Sequence, residues 1–381
     1  MERIYLDHAA TSPMHPDIVD SMIPYMTESF GNPSSIHFFG RKSRHAIDEA
    51  RQTIADSIKA KPNEIVFTSG GTEADNLAIK GTAIAMQSKG KHIITSSIEH
   101  HAVLHTCEHL EKQGYTVTYL PVNEKGLVSV NDVKAALTAE TILVTIMYAN
   151  NEVGTIQAIE EIGNLLENHQ AVFHTDAVQA YGTINIDVNQ LKIDLLSVSA
   201  HKINGPKGTG FLYMRDGIKV GQLLFGGEQE KKRRAGTENV AGIVGMRAAV
   251  ELSKEKVKDR TDIYNEMKDA FIEVLKAENI SFEVNGDRNV SLPHILNIYF
   301  PGTNVESMLV NLDLAGIAAS SGSACTAGSI DPSHVLVAMF GKESDRIASS
   351  IRFSFGLGNT VEQIQKAANE TAKIVKRLTQ I

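Results

Sequence analysis

The chain has no tryptophan and only two cysteines among its 381 residues. Two cysteines, Cys107 and Cys325, cannot build a disulfide framework, and such sparing use suits a reducing compartment. No apolar run approaches the ~18 residues that a membrane-spanning helix needs. Residues 1–8 lack the apolar core of a signal peptide, so a cytoplasmic protein is expected. An excess of positive charge is also missing. The chain has 37 Lys and Arg against 45 Asp and Glu, a net charge of −8, which argues against a nucleic-acid surface. Lys231-Lys232-Arg233-Arg234 is the one basic run, and it suits a loop or a partner contact. No set of His, Cys, Asp and Glu has metal-site spacing, and no repeat or low-complexity tract is found. The lack of tryptophan carries no functional meaning.

What is present reads as a soluble enzyme, with 42% hydrophobic and 22% charged residues. Strand-like apolar runs occur at 65–69, 92–96, 117–121, 142–148, 171–175, 195–199 and 210–214. Amphipathic helical patterns at 73–88, 102–113 and 159–169 lie between several of them. Such alternation predicts an α/β fold, a largely parallel sheet with helices on both faces, whose ligands sit beyond the carboxyl ends of the strands. After about residue 257 the texture changes to a charged helix at 262–279, short strands near 295–300, a helix at 305–315, a Ser/Gly-rich loop and a final helix from about 360. That pattern suits a smaller α+β domain.

Polar motifs follow the predicted strands. Thr68-Ser69-Gly70-Gly71-Thr72 leads from a strand into a helix, which suits either an anion held by backbone amides or a helix capped by Thr72. His100, in Ser96-Ser97-Ile98-Glu99-His100-His101, could stack on a planar ring or move protons, or be a polar loop residue. Asn150-Asn151 end an apolar strand with two amides, or form a turn. Asp176, in Asp176-Ala177-Val178-Gln179, could keep a pyridine nitrogen protonated, with Gln179 reaching a ring oxygen, or simply cap a helix. Lys202, in Ser199-Ala200-His201-Lys202, ends an apolar strand, where desolvation favours the neutral amine that bonds to an aldehyde.

The joint order of anion turn, histidine, amide, Asp-x-x-Gln and lysine resembles the fold-type I pyridoxal-phosphate enzymes, and within them the class V aminotransferase group. Tyr5-Leu6-Asp7-His8-Ala9-Ala10-Thr11, Gly31-Asn32-Pro33-Ser34-Ser35 and Arg234-Ala235-Gly236-Thr237-Glu238-Asn239 fit that group too. Ser320-Ser321-Gly322-Ser323-Ala324-Cys325 resembles the cysteine desulfurases, in the long-loop branch that serves iron–sulfur assembly and tRNA thiolation. His8 departs from the Asn or Tyr of many relatives.

The resemblance implies a large domain at 16–257 that binds pyridoxal 5'-phosphate, and a small domain made of 1–15 and 258–381. Lys202 resembles the lysine that carries the cofactor, and Asp176 the partner of the ring nitrogen. Gln179 would contact the ring hydroxyl, His100 would stack on the ring, and Asn151 would meet the substrate side. Gly71, Thr72, Ser199 and His201 look like the phosphate cup, and Thr237 would complete that of a second subunit in a homodimer. Arg352 resembles the clamp for the L-cysteine carboxylate. Cys325 resembles the persulfide carrier, which passes sulfur to an iron–sulfur scaffold or a tRNA-thiolating enzyme. Cys107 is expected to be a buried small hydrophobe. An aminotransferase or selenocysteine lyase would keep the cofactor and change the reaction. A sulfur carrier with a degenerate site would lack the intact Lys202, Asp176 and Arg352.

Overall fold

A computed structural model of the chain describes residues 2–255, 257–322, 325–326, 329–330 and 332–380, with the side chains of 255–259 and 323–331 outside the description. A short strand, β1 (Ile4–Tyr5), precedes helices α1 (Pro16–Thr27) and α2 (Phe38–Ser57). Seven strands then build the central sheet: β2 (Ile65–Thr68), β3 (His92–Ser96), β4 (Thr116–Leu120), β5 (Thr141–Thr145), β6 (Val172–Asp176), β7 (Leu195–Ser199) and β8 (Gly210–Met214). Helices α3 (Gly71–Met86), α4 (His101–Glu111), α5 (Val130–Ala136) and α6 (Ile159–Leu166) connect them, and a short turn α7 (Gln229–Lys232) and a long helix α8 (Val240–Glu255) follow.

Neighbouring residues of the strands feed different cores, because strand side chains alternate between faces. Ile93, Leu143, Val172 and Leu195 pack with α3 and α4 residues such as Leu77 and Cys107. Ile94, Val144, Phe173 and Leu196 pack on the other face with Ile47, Ile162 and Met246. Cys107 is fully buried, as expected, and burial pushes its thiol up. The strand order is β2-β8-β7-β6-β5-β3-β4. Strands β3 to β7 pair in parallel, while β8 runs antiparallel to both β7 and β2. The reversal has a simple cause. Segment 200–209, which joins β7 to β8, falls short of the dozen or more residues that a parallel crossover takes.

Beyond α8, helix α9 (Val257–Ala277) leads to β9 (Glu283–Asn285), β10 (Ile295–Tyr299), α10 (Val305–Leu314) and β11 (Ile317–Ala318). Then come β12 (Cys325–Thr326), β13 (Ser329–Ile330), α11 (His334–Phe340), β14 (Ser350–Ser354) and α12 (Val361–Thr379). Strands β14, β10 and β9 form an antiparallel sheet, and β1 pairs with β11. A second core of Leu6, Phe271, Phe300, Phe353 and Ile364 lies here. The two bodies interlock, since Ala9, Leu292 and Ile295 pack into the first core. Parallel strands β2, β3, β5, β6 and β7 thus point their carboxyl ends at β14 and residues 319–322, across a cavity of about 590 Å³.

Candidate active site

Lys202 sits in a one-turn 3-10 helix, Ala200–Lys202, directly after β7. Its Nζ donates to the carbonyls of Ala9 at 2.5 Å and Ala10 at 2.7 Å. The N-terminal strap that supplies them is itself tied down. Ala9 N donates to Ser354 Oγ (2.8 Å), Gln179 Nε2 donates to Ala9 O (2.9 Å), and Ser12 Oγ donates to His201 O (2.6 Å). Burial first, and then Arg352, lower Lys202 to about 8, so its neutral amine is within reach near physiological pH.

The floor of the cavity is acidic. Asp176 ends β6, and its Oδ1 accepts from Val178 N at 2.9 Å. Burial raises it to about 6. Asp75, on α3, is buried and raised well above the ordinary carboxylate range by burial and by Asp176. Two buried acids so coupled keep a proton on Asp75 and leave Asp176 as the ionised member. Behind them His174 bridges Thr145 Oγ1 (2.8 Å) and Ser197 Oγ (3.0 Å), and burial keeps it neutral, at about 3.

Helix α3 opens on Gly70, which has φ 146° and supplies no side-chain cap. Thr72 lies inside the first turn, so the capping alternative for it falls away. Glu73 is also unavailable to the helix start, because Ser69 N (2.8 Å) and Arg234 Nε (2.8 Å) engage its carboxylate. A Cβ at Gly71 would fall 2.7 Å from Val178 Cγ2. The result is a bare helix N-terminus beside Thr72, Ser199 and His201 in the cavity wall, suited to an anion. His201 Nδ1 bonds Thr11 Oγ1 at 3.1 Å.

His100 caps α4, and its Nδ1 accepts from Ala102 N at 3.1 Å. Burial, and then Lys202, lower it to about 4. The ring is therefore neutral with its hydrogen on Nε2, a hydrogen-bond donor rather than an imidazolium at neutral pH. Opposite the sheet, Arg352 is buried in β14. Its Nη2 pairs with Asp7 Oδ1 at 2.7 Å, and its Nη1 donates to Asn151 O at 3.0 Å.

The cavity thus brings together Gly71, Thr72, His100, Asn151, Asp176, Gln179, Ser199, His201, Lys202 and Arg352. Thr237 is exposed and does not line it. The side chain of Cys325 lies outside the described residues. His8 is buried against Gly356, away from the cavity. Of the basic run, Lys231 and Lys232 face solvent, while Arg233 and Arg234 turn inward to Asn63 O and Glu73. Asp7, Asp75 and Glu152 line the cavity without having been singled out from the sequence. The available signal was position: Asp75 lies one helical turn after Gly71, and Glu152 directly follows Asn151.

A lysine at a strand end, a buried acid beneath it and an anion-ready helix start define an enzyme of the pyridoxal-phosphate type. The chain belongs to the class-V aminotransferase family, whose description matches residues 4–367. Its curated relatives place it among the cysteine desulfurases. It is 64% identical over 379 residues to IscS 1 of Bacillus subtilis (strain 168), provisionally named a cysteine desulfurase, with 100% of each chain covered. It is 51% identical over 376 residues to the cysteine desulfurase IscS of Methanosarcina thermophila, covering 98% of this chain and 92% of that one. Among solved structures, a NifS-like protein superposes with a TM-score of 0.92 at 33% identity, covering 99% of this chain and 100% of the other. SspA in complex with cysteine matches at 39% identity with a TM-score of 0.81, covering 92% and 98%. The family's cofactor is pyridoxal 5'-phosphate, and the residues here fit it: bare α3 amides for the phosphate, Asp176 for the ring nitrogen, and the buried Lys202 amine for the aldehyde.

Proposed function

We propose that the protein converts L-cysteine to L-alanine and transfers the sulfur to Cys325 as a persulfide. The observation that carries this reading is the buried Lys202 amine, which shares one cavity with the Asp176 carboxylate and the Arg352 guanidinium. Arg352 holds the substrate carboxylate, exchanging part of its pairing with Asp7 for the incoming group. Asn151 faces the substrate from the turn that follows β5, and His100 donates its Nε2 hydrogen toward the substrate region. Pyridoxal 5'-phosphate, when bound, supplies an electron sink, with Gly71, Thr72, Ser199 and His201 holding its phosphate and Gln179 and Asp176 its ring. Lys202 Nζ takes the substrate's α-proton.

The sulfur step balances without a further reagent. The Cys325 thiol gives up its proton and attacks the substrate sulfur, so an S–S bond forms as the Cβ–S bond breaks. The β-carbon takes up a proton and is reduced as the sulfur is oxidised to the sulfane level, and alanine leaves. The persulfide then passes to an iron–sulfur scaffold, or to a tRNA-thiolating enzyme.

Thr237, exposed and outside its own cavity, completes the phosphate site of a second copy in a homodimer. The same reading keeps the division into 16–257 and 1–15 plus 258–381, supported by the two cores, and a cytoplasmic location. Among the described residues no helix is long and apolar enough to cross a membrane.

The test is stoichiometry. One alanine should appear per sulfur, with no keto acid, and mass spectrometry should place the added sulfur on Cys325. Cys325→Ser should bind cysteine yet carry no persulfide. Keto-acid formation without sulfur transfer would replace this reading with transamination.

A further inference from the structure

Both flanks of the segment that carries Cys325 are described, and they meet at one side chain. Before it, Ser320, Ser321 and Gly322 run along the cavity wall. Ser320 exchanges backbone bonds with Arg352 at 3.1 and 2.7 Å. After it, Ser333 caps α11, its Oγ accepting from Leu336 N at 3.1 Å. The carboxylate of Glu152 stands between the flanks. Ser333 Oγ donates to Glu152 Oε2 at 2.5 Å. Gly322, at φ 92°, lies so close that a Cβ there would sit 2.6 Å from the same oxygen.

Glu152 itself is anchored to the sheet body and the small body. Its N donates to Asn150 Oδ1 at 2.8 Å, and its O accepts from Asn297 Nδ2 at 3.2 Å. The side chain is buried, where a carboxylate is costly unless it is paired. Burial raises its pKa, and the Ser333 hydroxyl, Arg352 and His101 act against that rise. The Ser333 hydrogen bond offsets part of that cost.

Resting on the desulfurase reading, we propose that Glu152 is a positioning residue for sulfur transfer. It holds Ser333 by a hydrogen bond and packs against Gly322 at the cavity wall, so that Cys325 between them is offered to the substrate bound at Arg352.

Glu152→Ala, Glu152→Gln and Ser333→Ala test this in the cofactor-loaded enzyme. Glu152→Ala should form the Cys325 persulfide about tenfold more slowly, the scale of one lost buried hydrogen bond to a charged group. Its cysteine affinity, read from the cofactor absorbance, should stay within about threefold. Glu152→Gln, which can still accept from Ser333, should recover most of the rate. Wild-type persulfide rates in Glu152→Ala, or a loss of cysteine affinity as large as the loss of rate, would overturn the proposal. A second readout needs no turnover. Proteinase K should cleave between Gly322 and Ser333 about fivefold faster in Glu152→Ala and Ser333→Ala than in wild type, with Glu152→Gln close to wild type. Equal cleavage in all four proteins would overturn the positioning role. If the wild-type enzyme forms no persulfide, the desulfurase reading fails, and the cleavage pattern still decides what Glu152 holds.

Discussion

The cavity has two walls of different construction. On the sheet wall each reactive side chain ends a strand or starts a helix, and neighbours hold it on several sides. Lys202 is pinned by two carbonyls, His100 by an α4 amide, and Asp176 by Val178 N. The opposite wall places Arg352 in a short antiparallel sheet and continues into Ser320, Ser321 and Gly322. The run from there through Cys325 consists of Ser, Gly and Ala, which offer little apolar area to bury. Chemistry that depends on stored electrostatics sits on the wall that cannot reorganise. The proposed persulfide carrier, Cys325, follows in sequence from the other.

Breaking the sheet wall should give the largest effect. Lys202→Ala should lower turnover by on the order of 10³ or more, because nothing nearby replaces its amine. Contacts at Asp176 and the α3 amides should still retain cofactor. In wild type, borohydride reduction and peptide mapping should find the pyridoxyl group on Lys202; a label on Lys207 would remove Lys202 from the role.

Arg352→Lys sharpens the contrast from the other side. A point charge replaces a planar fork, so KM for cysteine should rise about tenfold to a hundredfold with kcat nearly unchanged. Asp7→Asn should act in the same direction but less, since Asp7 orients the guanidinium. A fall in kcat at constant KM would instead make Arg352 part of the reacting machinery. The proposed homodimer offers an intermediate effect. Mixing inactive Lys202→Ala with Thr237→Ala chains should restore up to about a quarter of wild-type activity in the mixture, because half of the chains pair unlike and one site of each such dimer is free of both changes. No recovery in verified mixed dimers would place Thr237 with its own site.

The two walls were also unequally legible. Residues of the sheet wall follow strand runs that period and glycine placement mark out. Gly71, His100, Asp176 and Lys202 each kept a bland alternative, and only their joint order and the resemblance it carries marked them as one site. What the sequence did not show depends on contacts across long separations. The strap of Ala9 and Ala10 reaches Lys202 from the far end of the chain, and Asp7 occupies Arg352 across more than three hundred residues of sequence. The reversal of β8 follows from connection length, which the apolar run itself does not encode. Asp75 and Glu152 looked like ordinary polar residues of a helix and a turn. Their burial became visible only once the sheet and α11 were packed over them.

The smallest expected effect concerns a buried acid behind the sheet wall. Glu99 is fully buried, and its Oε1 accepts from Ser96 Oγ at 2.6 Å and Met147 N at 2.9 Å. Burial, only partly offset by those bonds, raises it from the ordinary 4.5 to about 8. The folded protein therefore keeps a proton that the unfolded chain releases above pH 4.5. This contribution to stability is fully present below that pH and is lost as pH rises through 8. Glu99→Gln keeps the accepting oxygen and cannot ionise, so its advantage should be near zero at pH 5 and grow with pH. Between these two pKa values the Tm gain should approach about 2–4 °C per pH unit, the shift that the ~1.4 kcal/mol of one pKa unit produces in a sizeable domain. Thermal unfolding of both proteins between pH 5 and 8.5 measures it. Parallel Tm profiles would mean that Glu99 is ionised in the folded state, and that the strand ends beneath the cavity tolerate a buried negative charge.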